Sequence, residues 1–391
     1  MPRNEIGIGL IGYVIGKVHA HAWLNLNQFY PDSIQSTPRL ATICGRNLAN
    51  VTQFASNYNF TKTCTDWKEL VKDPTVAILD NCSPPNLHFE PCMLAAEAGK
   101  AIICEKPLGR TAEEAYEMYR QVHKTGQIHM TGFNKRFLPS TLYARELVQS
   151  GRLGKITHVV ATFYNIEAGE GYSNPDIPLI WSFRREIAGH GAINELGAHL
   201  IDLMRFIVGE IISVSGATQT FVKERPLPDD LSKKGPVDVE DLIVGCLRFA
   251  NGAIGNISVS WLPVSTRDYL TLEIYGMKGS LRFCFDRPAE LEVYLHDEKD
   301  FAINGYKTIY CTSKAHPLID GHFWPDQGSS YGFEQSFISE LAHFLSSVEQ
   351  SKSVEPIGAS FYDGYMTALI NDEIVSAASD GKWHPILPKG R

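Results

Sequence analysis

The sequence predicts an α/β protein in two parts. Residues 1–133 read as a doubly wound parallel sheet, and residues 134–391 as an α+β domain with a large, mainly antiparallel sheet. Three observations carry this reading. Up to about residue 133 short apolar runs alternate with helical patterns, the order of a parallel sheet with crossover helices. Beyond it the apolar runs lengthen and are joined by hairpin turns. A chain of 391 residues that is 44% hydrophobic also has enough apolar material for two cores.

In order, strands are expected at 6–11, 40–44, 76–81, 101–104 and 128–133, with helices at 17–29, 47–58, 86–100 and 111–126. The first strand leads into a glycine turn. A literal G-x-G-x-x-G occurs as Gly7, Gly9 and Gly12, but only "MPRNEI" precedes Gly7, too short and polar for a buried strand. The physical turn is therefore Gly12-Tyr13-Val14-Ile15-Gly16, which is one residue short and lacks the middle glycine. Taken alone, it is equally a buried strand with packing glycines. In the second part, strands are expected within 155–168, 242–261 and 269–285, with turns at Asn251-Gly252 and Lys278-Gly279. Helices are expected at 197–211 and 333–350, and the Pro-rich, charged stretch 223–241 as a surface loop.

Composition narrows the function. A net charge of −8 without a basic run argues against nucleic acid and membrane partners. The eight cysteines are scattered, with no C-x-x-C pair and no ligand spacing, so they are expected as reduced thiols in a cytoplasmic protein, with no metal site. An A-x-A follows the apolar stretch 6–16, but four glycines and Glu5 oppose a signal peptide. No run is long enough to span a bilayer.

Two stretches carry chemistry. Lys106 in "CEKPLG" follows a strand directly, beside Glu105, at the carboxyl edge where open α/β sheets bind ligands. On spacing alone a solvated Lys/Glu pair is the plainer account. In "GHGAINELGAHLIDLMRF", Glu195, His199 and Asp202 fall at i, i+4 and i+7, one face of a helix. A carboxylate there fixes an imidazole's tautomer for general-base work. The same face also suits a metal, or is simply a capped helix start. The second strand ends "TICGRN", with no acid to hold the adenosine ribose, so NAD and NADP are both permitted, Arg46 being placed for a 2′-phosphate or for stacking.

Together the glycine turn, "SPPNLH" (83–88), "CEKPLG" (104–109), "GFNKRF" (132–137), "GAINELGAHLID" (191–202) and the tail "SFYDGYMTALINDEIVSAASDGKW" resemble the Gfo/Idh/MocA oxidoreductases, the glucose-fructose oxidoreductase and inositol dehydrogenase group. "NPDIPLIWSF" with "AGHGAINELG" is similar to the branch that oxidises ring carbon 3 of glycosides, levoglucosan dehydrogenase among them. The resemblance implies NAD- or NADP-dependent hydride transfer from a secondary hydroxyl of a sugar, glycoside or cyclitol, and a homo-oligomer, dimer or tetramer, formed through the open sheet. It implies Lys106, His199 and Glu195 as the catalytic group, Glu195 standing where the family usually has aspartate. The implied cofactor contacts are Gly12, Tyr13, Val14, Ile15, Gly16, Arg46, Ser83, Pro84, His88, Glu105, Lys106 and Asn134. Pro85 replaces a frequent asparagine. Arg136, Tyr164, Trp181 and Trp324, with Lys106, Glu195 and His199, are implied on the substrate side. Two other classes share this fold: a non-enzymatic dinucleotide sensor, and a lyase or hydrolase working through a recycled NAD and a keto-sugar.

Overall fold

The computed structural model describes residues 4–165, 172–263, 268–296, 302–319 and 328–390. Apolar runs buried on both faces become parallel strands, because a crossover helix then covers each face. In chain order these are β1 (Glu5–Ile11), α1 (Gly16–Phe29), β2 (Thr37–Cys44), α2 (Leu48–Tyr58), β3 (Lys62–Cys64), α3 (Trp67–Lys72), β4 (Ile78–Asn81), α4 (Phe89–Glu97), β5 (Ala101–Glu105), α5 (Ala112–Thr125) and β6 (His129–Gly132). The six strands form one parallel sheet in the order β3-β2-β1-β4-β5-β6. Strand order therefore reverses between β1 and β4, which opens a crevice at their carboxyl ends. The edge strand β3, three residues of mostly exposed "KTC", has no apolar run to announce it.

The second part contains α6 (Pro139–Gln149), β7 (Ile156–Tyr164), α7 (Arg185–Ala188), α8 (Ala198–Val208), β8 (Ile211–Gln219), β9 (Glu224–Leu227), β10 (Asp230–Pro236), β11 (Leu242–Phe249), β12 (Ile254–Ser260), β13 (Tyr269–Gly276), β14 (Gly279–Cys284), β15 (Glu290–Leu295) and β16 (Lys307–Tyr310). It closes with α9 (Phe333–Gln350), α10 (Phe361–Asp380) and β17 (His384–Pro385). Nine of these strands make one sheet, β16-β15-β14-β13-β7-β12-β11-β8-β17, antiparallel throughout except where β7 and β12 run parallel. The expected turns at Asn251-Gly252 and Lys278-Gly279 join β11 to β12 and β13 to β14. The buried/exposed alternation along β11 leaves one face of the sheet outward, while α8 and α10 pack on the other side.

Two features depart from the sequence reading. The stretch 223–241 is not merely a loop: β9 and β10 pair as a hairpin. Arg225 anchors this hairpin to the rest of the domain: its buried guanidinium lies 3.9 Å from the Phe183 ring centroid and donates to the Asn174 carbonyl at 2.8 Å. Second, α9 packs against α1, so Phe337, Ile338 and Leu341, far along the chain, complete the core of the first sheet.

Candidate active site

At the carboxyl end of β1 the chain must turn sharply into α1. Gly12 does this at φ +88°, where a methyl group would lie 2.4 Å from the Cys82 carbonyl oxygen. Only glycine fits both the angle and the space. Gly16 begins α1 and presses on Leu10, where a methyl group would sit 2.7 Å from Cδ2. The helix start at Ile15 has no side-chain cap and no acidic residue in its first turn. Its free N–H groups and dipole thus present an anion site built from backbone. Val14 is 76% exposed at the tip of the turn, and Tyr13 covers Gly45, its hydroxyl accepting from Asn50 Nδ2 at 3.3 Å. Arg46 stands exposed just past β2.

The loops after β4 and β5 are tied together by His88. Its ring is wholly buried, with Nε2 2.8 Å from the Ser83 carbonyl and Nδ1 2.9 Å from that of Pro107. Burial pushes its pKa down, and the ring braces these two loops with no exposed surface of its own. Ser83 donates to Asn81 Oδ1 at 2.6 Å, which fixes the turn that Pro84 and Pro85 continue. Glu105 also faces inward: its carboxylate receives His19 and the Lys106 backbone N–H.

Lys106 reaches across to the second part of the chain. Its Nζ donates to the Glu195 carbonyl at 2.8 Å and lies 3.4 Å from Glu195 Oε1. Glu195 sits in a π-helical turn, Ile193–Gly197, immediately before α8. Such widened turns occur at functional sites. This one is anchored by Glu240, whose carboxylate accepts from Gly191 N at 2.8 Å and Ile193 N at 3.1 Å. The expected common face of Glu195, His199 and Asp202 is thereby broken. Glu195 turns to Lys106, while Asp202 turns to Arg136 (2.5 and 2.8 Å). His199 Nδ1 has no hydrogen-bond partner among the described residues. Burial, reinforced by the charges of Lys106 and Lys135, holds the His199 imidazole well below its ordinary pKa. His199 is therefore neutral at pH 7.

Arg136 is placed differently from the sequence reading. It is buried between Asp202 and Asp363, the latter 3.6 Å away, and stacks on Phe206 at 4.6 Å. A guanidinium so engaged ties the framework together and has no donor face left for a substrate. Its neighbour Lys135 points the other way, 3.3 Å from Asp268 Oδ1 and 3.4 Å from the Phe285 ring centroid. Asn134 donates to Ser336 Oγ at 2.8 Å, holding α9 to this junction. Tyr164, half-buried at the end of β7, bonds Ser258 Oγ at 2.8 Å and lies opposite Tyr269, next to Asp268. Trp181 is half-buried in the turn Trp181–Phe183. Trp324 lies outside the described residues.

A parallel sheet with a glycine turn and an uncapped helix, facing a Lys–Glu–His group from an antiparallel sheet, matches known protein families. Residues 6–133 match the oxidoreductase family with an NAD-binding Rossmann fold, and residues 141–282 the GFO/IDH/MocA C-terminal domain. The chain belongs to the GFO/IDH/MocA oxidoreductases. Levoglucosan dehydrogenase of Pseudarthrobacter phenanthrenivorans is 35% identical, covering 97% of this chain and 98% of its own. A solved levoglucosan dehydrogenase in complex with NADH and levoglucosan superposes with a TM-score of 0.91 at 34% identity, over 98% of this chain and 100% of that one. Myo-inositol 2-dehydrogenase of Thermotoga maritima is 29% identical over 79% of each chain.

The NAD-binding character of this family agrees with the helix start at Ile15, whose free N–H groups need a partner such as a pyrophosphate. Of the three residues between Gly12 and Gly16, Val14 is exposed and Tyr13 and Ile15 are half-buried.

Proposed function

We propose that this GFO/IDH/MocA oxidoreductase oxidises a secondary hydroxyl of a pyranose, glycoside or cyclitol with NAD. The observation that carries the reading is the pairing of Lys106 Nζ with Glu195 beside a neutral, buried His199 whose Nδ1 is unpartnered. Bound NAD supplies the hydride acceptor. His199 takes the hydroxyl proton, for which it must be neutral. The Lys106 ammonium stabilises the negative charge that develops on the same oxygen. Glu195 holds Lys106 in place through both its carbonyl and its carboxylate. Tyr164, Trp181 and Trp324 offer aromatic faces for a sugar ring, whereas Arg136 serves the framework. The sugar class is supported by relatives whose names specify levoglucosan, myo-inositol and glucosides.

A second copy of the chain is the expected partner of the outward sheet face, where Ile212, Val244 and Ile254 are each more than two-fifths exposed. A monomeric mass by light scattering would overturn that assembly. No helix among the described residues is long and apolar enough to cross a membrane, and the eight cysteines are free thiols, which supports the cytoplasm as the site of action.

The test is direct. The purified protein is mixed with NAD or NADP and a panel of levoglucosan, pyranoses, glycosides and cyclitols, and NADH formation is followed by absorbance. Sugar-dependent reduction is expected. A protein that binds NADH but reduces nothing across the panel would be a dinucleotide sensor, and turnover without added cofactor would mark a lyase or hydrolase with recycled NAD.

A further inference from the structure

Behind the Lys106 loop lies a second polar cluster that the proposed chemistry does not touch. His19, one turn into α1 from Gly16, is completely buried. Its Nδ1 is 3.0 Å from Asp80 Oδ1, and its Nε2 is 3.0 Å from Glu105 Oε1. Asp80, on β4, also accepts from Trp23 Nε1 at 2.7 Å and from Cys82 Sγ at 3.2 Å. The second oxygen of Glu105 accepts the Lys106 backbone N–H at 3.2 Å. β6 passes so close that a methyl group on Gly132 would lie 2.7 Å from Glu105 Oε1. One imidazole therefore joins the cofactor helix to the carboxyl ends of β4 and β5, and one carboxylate passes that tie on to the backbone of Lys106.

The chemistry of the tie is specific. An imidazole facing a carboxylate on each nitrogen must donate twice, and only the imidazolium has two N–H donors. Burial is the largest single influence and works against the charged form, but Asp80 and Cys82 together, through charge and hydrogen bonding, outweigh it and raise the His19 pKa well above the ordinary value. Charge-assisted bonds of this kind, sealed from water, keep fixed geometry.

We propose that His19 is a positioning residue for Lys106: clamped between Asp80 and Glu105, it fixes the Glu105 carboxylate, and through it the Lys106 backbone, so that Nζ is aimed at Glu195 and the space beside His199. The inference rests on the proposed dehydrogenase function only for its turnover readout. Its other readout is the chemical reactivity of Lys106 itself. In the intact protein Nζ is engaged by Glu195 and only 12% of the side chain is exposed, which slows attack by an amine reagent.

The experiment compares the full chain with His19→Gln, Glu105→Gln and Trp23→Phe. His19→Gln donates from a single nitrogen, which cannot span two carboxylates held on opposite sides of the ring. Glutamine at 105 offers one oxygen where Glu105 uses two. Trp23→Phe loses a hydrogen bond on the far side of Asp80 and is the stability control. Trinitrobenzenesulfonate labelling, read at the Lys106 peptide by mass spectrometry, should be at least about tenfold faster in His19→Gln and Glu105→Gln, and unchanged in Trp23→Phe. With levoglucosan, kcat should fall about twentyfold in the first two variants, with KM within threefold. The deuterium isotope effect on kcat should rise as chemistry becomes rate-limiting. If His19→Gln does not fold, Glu105→Gln decides alone. Folded variants that melt earlier yet label Lys106 and turn over as the parent does would overturn the proposal. A parent protein that oxidises no sugar would sink the dehydrogenase reading and leave the labelling result to decide this one.

Discussion

Lys106 Nζ is bonded to Glu195 twice, to the backbone carbonyl at 2.8 Å and near the carboxylate at 3.4 Å. The carbonyl bond survives any substitution of the Glu195 side chain, so most of the aim of Lys106 is set by the π-helical turn. Glu195→Gln should thus lower kcat only about threefold to tenfold, the effect of losing a part-exposed charge partner. Lys106→Ala and His199→Ala should each cost about 10²–10⁴-fold, the range of general acid–base groups. The double variant should be little worse than either single one, since both act on one oxygen. Steady-state kinetics with levoglucosan checks this, and additive losses would mean that the two residues work on separate steps.

The depressed pKa of His199 sets the pH profile. Alcohol oxidation needs the imidazole neutral, and it is neutral above its pKa, which burial has moved well below the ordinary value of 6.5. Activity should therefore be retained through mildly acidic pH and fall only as pH drops through this lowered pKa. A profile that rises through 6.5 or above would show His199 to be ordinary, or not the base.

Stability follows the same logic at His129, whose pKa is lowered to about 4 by burial first and by His123 second. Its Nδ1 accepts the Phe361 backbone N–H at 3.1 Å, a bond that protonation would abolish. Between about pH 6.5 and 4 the unfolded chain binds a proton that the folded chain refuses, so stability falls as pH falls, by up to about 3 kcal/mol. Urea midpoints across this range should drop less in a folded His129→Gln variant than in the parent.

Much of this was readable from sequence because the signals are local. Period-2 and helical patterns, and the place of Lys106 after an apolar run, depend on neighbours within a few residues, and the structure keeps them. What sequence could not show were partners across long separations. Arg136 meets Asp202 66 positions away, and His19 meets Glu105 86 positions away, so neither pairing leaves a pattern in either segment. One signal for His19 was present: it lies on the apolar face of α1 with Gly16, Ala20 and Trp23, and a polar residue on such a face must find a buried partner. The π-helical turn is hidden for another reason. Its extra residue rotates Glu195 off the face that regular i, i+4 spacing assigns to it.

At the glycine turn, Gly12→Ala forces a side chain into φ +88° and against the Cys82 carbonyl. The strain should cost about 1–3 kcal/mol, seen as a lower melting temperature, and NADH affinity should fall at least about tenfold because the start of α1 shifts. Val14→Gly relieves no clash in the turn and should leave the melting temperature within a degree or two. Equal NADH affinity in Gly12→Ala and parent would place the pyrophosphate away from this turn.

Arg46 is the only basic residue in the segment between β2 and α2, and no acid there opposes a 2′-phosphate. Arg46→Ala should weaken NADP binding about tenfold, the loss of one charge-assisted contact, and NAD binding by less than threefold. Titration of both cofactors by fluorescence checks the ratio. Equal losses would mean that Arg46 only stacks on adenine.

Arg136 separates framework from substrate contact. Its guanidinium is buried with Asp202, and Asp363 lies within 3.6 Å, so one cation serves two carboxylates that have little access to water. Arg205 also contacts Asp363, at 3.2 Å, whereas Asp202 has no such second cation among the described residues. Arg136→Met keeps the stem and removes the charge, leaving Asp202 buried without its partner, a change that costs about 3–5 kcal/mol. The expected result is a large fall in melting temperature with KM for the sugar unchanged in whatever fraction folds. Arg136→Met with Asp202→Leu removes both charges together and should recover much of that loss, because no uncompensated carboxylate remains. A variant that keeps its stability but raises KM for the sugar would put Arg136 back among the substrate contacts.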